Sequence, residues 1–158
     1  QQVTKHPMTI LTPHEGEFIR LYEATFGSAP DASAGWGTAL HELAEELDSI
    51  ILLKGRLTRV TAPGQPLYSF NAGHSFAATP GSGDVLSGIL GAVMAQLFAS
   101  APAASPAGVI AEVLHAGAIH AHAAAIAAET PEGFAPCSAS QIAAAIPRAI
   151  ARLLNAER

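Results

Sequence analysis

Gly81-Ser82-Gly83-Asp84-Val85-Leu86-Ser87-Gly88 is the stretch on which the reading of the fold turns, because a glycine-rich turn here opens a long apolar helix. Two glycines around a serine let the backbone aim its N–H groups at one point, and the helix that follows adds its positive end. Together they make a place for an anion such as a phosphate. Two well-known phosphate loops are excluded residue by residue. A G-x-x-x-x-G-K-[ST] run is absent, since neither Lys5 nor Lys54 follows a glycine, and G-x-G-x-x-G fails because Leu86 takes its third glycine position. Asp84 is the informative departure. A carboxylate among phosphate-binding amides repels phosphate, but it suits a group that accepts a proton from a hydroxyl attacking a terminal phosphoryl. An aspartate at a helix start is equally explained by capping, and both readings stay open at this point.

Working outward, the chain before this turn carries strands and the chain after it carries helices. Met8 to Leu11 is a short apolar run ended by Thr12-Pro13, a strand and its turn. Glu15 to Tyr22 reads as the first turns of a helix, with early acidic residues that suit its dipole. Phe26 to Ser33 is a loop by composition. Gly37 to Leu47 places Leu40, Leu43, Ala44 and Leu47 at helical spacing. Ile50 to Lys54 is apolar up to its end, as in a strand covered on both faces of a mostly parallel sheet. Leu57 to Thr61 and Leu67 to Phe70 flank a Pro- and Gly-containing turn and predict a hairpin. Beyond the glycine turn, Val85 to Phe98, Pro106 to Ala128 and Ser138 to Leu154 predict three Ala-rich helices, with Pro147 expected to kink or break the last. The class is α/β in one domain spanning residues 1–158, with few strands for a doubly wound sheet. The opening residues carry no methionine, and the chain reads as one from which an upstream part has been removed.

Composition limits the function classes. The 158 residues are 49% hydrophobic and 13% charged, which argues for a packed globular unit rather than a disordered chain. A net charge of −5 without a dense basic patch argues against nucleic-acid binding. The polar N-terminus lacks a secretory signal, and the Ala- and Gly-rich run from Gly88 to Ala103 is shorter than a bilayer span of roughly 20 residues, so no membrane role is expected. The single cysteine, Cys137, cannot form an internal disulfide, which fits a cytoplasmic setting.

Further candidate residues sit at strand ends, where open α/β sheets present ligand-binding groups. Lys54-Gly55-Arg56-Leu57-Thr58 offers an ammonium and a hydroxyl to a phosphate or ribose, although a solvated lysine at a strand end is the plainer reading. In Thr12-Pro13-His14-Glu15-Gly16-Glu17-Phe18, His14 can hydrogen-bond a substrate or serve structure alone, and Glu15 and Glu17 can be dipole partners only. His115 and His122 lie seven positions apart, too far along a helix to share an ion unaided, and no metal site is assigned. His115, His120 and His122 are read as helix-face or interface residues.

Three motifs in this order, Leu11-Thr12-Pro13-His14-x-Gly16-Glu17-Phe18, Leu53-Lys54-Gly55-x-x-Thr58 and Gly81-Ser82-Gly83-Asp84-Val85-Leu86-Ser87-Gly88, resemble the ADP- or ATP-dependent NAD(P)H-hydrate dehydratases of the ribokinase-like superfamily. His115-Ala116-Gly117-Ala118 and Ile146-Pro147-Arg148-Ala149-Ile150 extend the resemblance, which runs from about Met8 to Leu154. It implies a ribokinase-like α/β fold, a mostly parallel sheet flanked by helices and lacking its N-terminal strands. It also implies repair of hydrated NADH or NADPH: the nucleotide phosphorylates the ring hydroxyl, and loss of phosphate restores the double bond. By position, His14, Glu15, Gly16, Glu17 and Arg20 would face the hydrated cofactor, with Asp84 as base and substrate contact. Lys54, Gly55, Arg56, Leu57 and Thr58 would meet the adenine nucleotide, together with Gly81, Ser82 and Gly83. ADP or ATP would be co-substrate, accompanied by Mg²⁺, and a homo-oligomer, a tetramer included, is implied. Where the family has Asn-Pro-like residues, this chain has Gly73-His74-Ser75-Phe76. Rival readings are another ribokinase-like kinase, of hydroxymethylpyrimidine or hydroxyethylthiazole type, and a catalytically incomplete nucleotide-binding module.

Overall fold

The computed structural model describes residues 9–71 and 78–156, so the Gly73-to-Phe76 departure and Met8 lie outside the described residues. The chain divides into two compact units, residues 1–71 and 72–158.

The first unit holds a four-stranded sheet in the order β1 (Ile10–Leu11), β2 (Ile50–Leu53), β3 (Leu57–Thr61), β4 (Tyr68–Asn71). β1 and β2 run parallel, whereas β2–β3 and β3–β4 are antiparallel. The sheet of the described residues is therefore mixed, with the expected hairpin present and one parallel pair beside it. A tight turn at Lys54-Gly55-Arg56 reverses the chain after β2, and a connection this short can only return antiparallel.

Two helices, α1 (Glu15–Phe26) and α2 (Gly37–Leu47), supply the apolar surface for this sheet. Phe18, Leu40, Leu43, Leu47, Ile51 and Leu53 form its core, with Trp36 edge-on to Phe18 at 5.6 Å between ring centroids. Phe18 is fully buried, a contribution of about 1.5–3 kcal/mol from area removed from water. α1 extends to Phe26, into the expected loop, and stops where Gly27 turns left-handed at φ 76°.

The second unit is a three-helix assembly of α3 (Ser82–Ser100), α4 (Pro106–Ala128) and α5 (Ala139–Ala156), with a small hairpin of β5 (Glu129–Thr130) and β6 (Gly133–Phe134). α4 starts where expected: the Ser105 hydroxyl caps it by accepting from the Gly108 N–H, and Pro106 sits where its missing N–H costs nothing. Ala123, Ala124, Ile126, Cys137, Ile142, Ala145 and Ala149 form a tight small-residue core between α4 and α5.

Two expectations change here. α5 runs unbroken through Pro147. Pro147 and Ala143 are both exposed, so the Ala143 carbonyl that loses its helical partner can turn to water. α3 and α4, at 19 and 23 residues, are also long and apolar enough to cross a bilayer, which the shorter sequence estimate had not allowed. α4 buries much of its surface against α3 and α5 within this unit, as a core helix does.

Candidate active site

In the first unit, His14 and Lys54 end the paired strands β1 and β2 and face each other across a parallel β-bridge. The Lys54 N–H donates to the Pro13 carbonyl at 2.8 Å, which extends the ladder by one rung. His14 is also the N-cap of α1. Its Nδ1 accepts from the Glu17 N–H at 3.2 Å, while Glu17 Oε2 accepts from the His14 N–H at 2.8 Å, a reciprocal capping box. With Nδ1 an acceptor, the neutral ring carries its proton on Nε2, which lies 3.4 Å from Glu17 Oε1.

Glu17 ties this cluster together. Its Oε2 stands 3.9 Å from Lys54 Nζ. The His14 backbone N–H holds the Glu17 carboxyl below the usual range, with the nearby charges of Lys54, His14 and Arg20 acting in the same direction. A Cβ placed on Gly16 would come within 3.3 Å of the His14 ring and 3.7 Å of the Arg20 guanidinium. His14, Gly16, Glu17, Arg20 and Lys54 are thus gathered at one sheet end. Glu15 is exposed in the first turn of α1.

Lys54 to Thr58 forms the turn between β2 and β3. Gly55, Arg56 and Leu57 are exposed, and Leu57 offers an apolar surface that is 42% accessible. Thr58 is buried, and its hydroxyl donates to the Gly55 carbonyl at 3.2 Å, closing the turn on itself. The Thr58 hydroxyl thereby braces the loop that carries Lys54.

In the second unit, Gly81 opens α3 in the left-handed conformation, φ 84°, with no side-chain cap. A Cβ on Gly81 would press on the Ala139 methyl at 3.1 Å. The left-handed backbone favours glycine there, and a side chain would also need Ala139 to give by a few tenths of an ångström. The Asp84 and Val85 N–H groups return to the Gly81 carbonyl at 3.1 and 3.2 Å, and the Ser82 N–H goes to the Thr79 carbonyl at 3.1 Å. Among the described residues neither the Gly81 nor the Gly83 N–H has an acceptor, and Gly83 is the one next to Asp84, so these are the amides this turn offers to an anion. Asp84 follows directly, exposed and without an ion pair among the described residues.

Ser82 is held from α4. It is buried, and its hydroxyl points to His120 of α4, Oγ to Nε2 at 3.1 Å, while the same Nε2 lies 3.0 Å from the Ser82 carbonyl. In the sequence His120 reads as a helix-face or interface residue, with no partner indicated. Its partner is 38 positions away, and no local pattern could have paired them. His115 sits beside Glu112 at 3.4 Å, and among the described residues no group of three His, Cys, Asp or Glu could hold a metal.

A family model described as NAD(P)H-hydrate dehydratase matches residues 1–147. The bifunctional NAD(P)H-hydrate repair enzyme Nnr of Corynebacterium glutamicum is 43% identical over 92% of the chain and 27% of its own length. The ADP-dependent (S)-NAD(P)H-hydrate dehydratase of Neisseria meningitidis serogroup B is 37% identical over 55% of the chain and 28% of its own length. Among solved structures, the ADP/ATP-dependent NAD(P)H-hydrate dehydratase of Bacillus subtilis, co-crystallised with ATP and Mg²⁺, superposes with a TM-score of 0.70 at 24% identity, a likeness of fold. That match covers 90% of the chain and 47% of the Bacillus protein. The chain therefore spans under a third of these sequence relatives and about half of that structure.

Proposed function

This chain belongs to the NAD(P)H-hydrate dehydratase family, and we propose that it contributes the catalytic base and nucleotide contacts of an ADP- or ATP-dependent repair of hydrated NADH or NADPH. The observation that carries this reading is the first turn of α3, where an exposed carboxylate on Asp84 follows an open amide on Gly83. The amide suits a phosphate oxygen, and the carboxylate suits the proton of an attacking hydroxyl.

The proposed chemistry balances in two steps. Asp84 takes the proton of the ring hydroxyl as that oxygen attacks the terminal phosphoryl group, and the nucleotide leaves one phosphate shorter. The carbon–oxygen bond then breaks, phosphate leaves, and loss of the neighbouring proton restores the double bond. Lys54, together with the exposed turn of Gly55, Arg56 and Leu57, would meet the nucleotide, with Thr58 bracing that turn through Gly55. The amides of Gly81 and Gly83 would take a phosphate, the Ser82 amide being bonded to the Thr79 carbonyl. His14 would present its Nε2–H to the hydrated dinucleotide, with Glu15, Gly16 and Arg20 beside it. Glu17 sets that proton's position. The described residues offer no three-ligand cage, so Mg²⁺ would arrive on the nucleotide phosphates, and no step above is routed through it.

The same reading places the reaction in the cytoplasm, makes the whole chain part of one dehydratase domain and implies a homo-oligomer. The test is direct. The full-length protein is incubated with hydrated NADH, Mg²⁺ and ADP or ATP, and the reduced-nicotinamide absorbance is followed. Return of absorbance supports the proposal. Phosphorylation of a hydroxymethylpyrimidine or hydroxyethylthiazole alcohol with no return of absorbance overturns it in favour of a small-molecule kinase.

A further inference from the structure

We propose that His120 is a positioning residue that fixes the first turn of α3, and this inference rests on the reading of that turn as the site of phosphoryl transfer. The turn needs an outside restraint. Gly81 and Gly83 flank Ser82, and glycine restrains its own backbone least of all residues. The orientation of the Gly83 amide and of Asp84 therefore depends on what holds Ser82, together with the bonds from the Asp84 and Val85 N–H groups to the Gly81 carbonyl.

Three contacts hold it. The Ser82 N–H donates to the Thr79 carbonyl at 3.1 Å, and His120 Nε2 reaches both the Ser82 carbonyl at 3.0 Å and its hydroxyl at 3.1 Å. A carbonyl only accepts, so Nε2 carries the proton in this arrangement. His120 thus grips main chain and side chain of one residue from α4. Ser82 precedes Gly83 and Asp84 in the chain, so the grip of His120 on Ser82 reaches them through the backbone. The buried Ser82 hydroxyl is explained at the same time: it is the second point of that grip rather than a phosphate ligand.

The experiment compares His120→Ala, His120→Gln and Ser82→Ala in the full-length protein. A glutamine amide at this position can again donate to the Ser82 carbonyl, whereas alanine cannot. For His120→Ala, kcat at saturating nucleotide should fall about tenfold or more, in line with the cost of small misplacements in a reacting group. KM for the hydrated dinucleotide should change less than about threefold, because only the base and phosphate turn is loosened. His120→Gln should return kcat to within about threefold, and Ser82→Ala, which keeps the carbonyl contact, should lose less than His120→Ala. Amide exchange at Gly83 and Asp84 should accelerate in His120→Ala and not in His120→Gln. If His120→Ala does not fold, His120→Asn, whose shorter amide falls short of Ser82, takes its place. A kcat within twofold of the parent, or a glutamine variant no better than alanine, overturns the proposal. If the parent itself shows no dehydration, the functional reading fails, and amide exchange alone decides whether His120 positions the turn.

Discussion

His14 and Lys54 lie opposite one another at the ends of β1 and β2, joined by a bridge in which the Lys54 N–H meets the Pro13 carbonyl at 2.8 Å. One residue caps a helix and the other begins a tight turn. Main-chain pairing brings the two together, and the side-chain cap of His14 fixes its ring. Glu17 then reaches from the cap to the lysine, so an imidazole, a carboxylate and an ammonium share one sheet end. On the chemistry proposed, His14 serves the dinucleotide and Lys54 the nucleotide.

Asp84→Asn is the sharpest test of the base. The amide keeps the size and exposure of Asp84 but cannot take a proton, so turnover should fall by roughly 10²–10⁴. Nucleotide affinity should hold or rise, since a charge that repels phosphate is gone. Turnover rates and calorimetric titration with ADP measure both. A variant that keeps a tenth or more of parental turnover removes Asp84 from the role.

Lys54→Met tests the nucleotide contact while keeping the length of the side chain. A charge-assisted contact to phosphate is worth about 1.5–3 kcal/mol, so Kd for ADP should rise by roughly ten- to a hundredfold. Binding of ADP unchanged by this substitution would return Lys54 to the plain role of a lysine at a strand end, paired with Glu17.

The sequence carried the helices better than the site. Leu40, Leu43, Ala44 and Leu47 repeat at helical spacing, and an Ala-rich run opens at Pro106, so the bounds of α2 and α4 were legible to the residue. α3 begins three residues before the expected Val85, because glycine and serine in its first turn read as loop. The hairpin of β5 and β6 escaped because strands of two residues have no period to read. Within the site, the capping box was local and nearly visible in the sequence of His14 to Glu17. The pairings of Glu17 with Lys54 and of Ser82 with His120 were not, since each joins residues nearly forty positions apart through tertiary packing.

Glu17 should leave a signature in acid. Its folded pKa lies below the ordinary 4.5, chiefly through the His14 N–H, so the stabilisation it provides is complete above about that value. That stabilisation drains away as pH falls through the lower folded value. Glu17→Gln keeps an acceptor for the cap but loses the charge, and with the side chain half exposed the effect is small. The melting temperature of the parent should exceed that of Glu17→Gln at neutral pH, with the two curves converging below about pH 4. A gap that persists or widens in acid contradicts the assignment.

Pro147→Ala should stabilise the fold. The proline removes one helical hydrogen bond from α5 at an exposed position, and alanine restores it, a gain of about 1–3 kcal/mol. Denaturant melts of the two proteins read the difference as a shift in midpoint at constant slope. A loss of stability would show that Pro147 makes a contact worth more than the missing bond.

Gly81→Ala separates two reasons for one glycine. At φ 84° an alanine pays the left-handed backbone cost, about 1–2 kcal/mol, and its methyl also meets Ala139 at 3.1 Å. Ala139→Gly removes the second penalty and leaves the first. The double variant should therefore recover part of the stability lost by Gly81→Ala, beyond what the two single changes would sum to. Strict additivity would mean that the contact yields without cost and backbone strain is the whole effect. In either case the Asp84 and Val85 amides, which both return to the Gly81 carbonyl, should exchange faster in Gly81→Ala, since their acceptor moves with the strained residue. Protection of those two amides matching the parent would mean that the first turn of α3 accommodates a side chain at its cap.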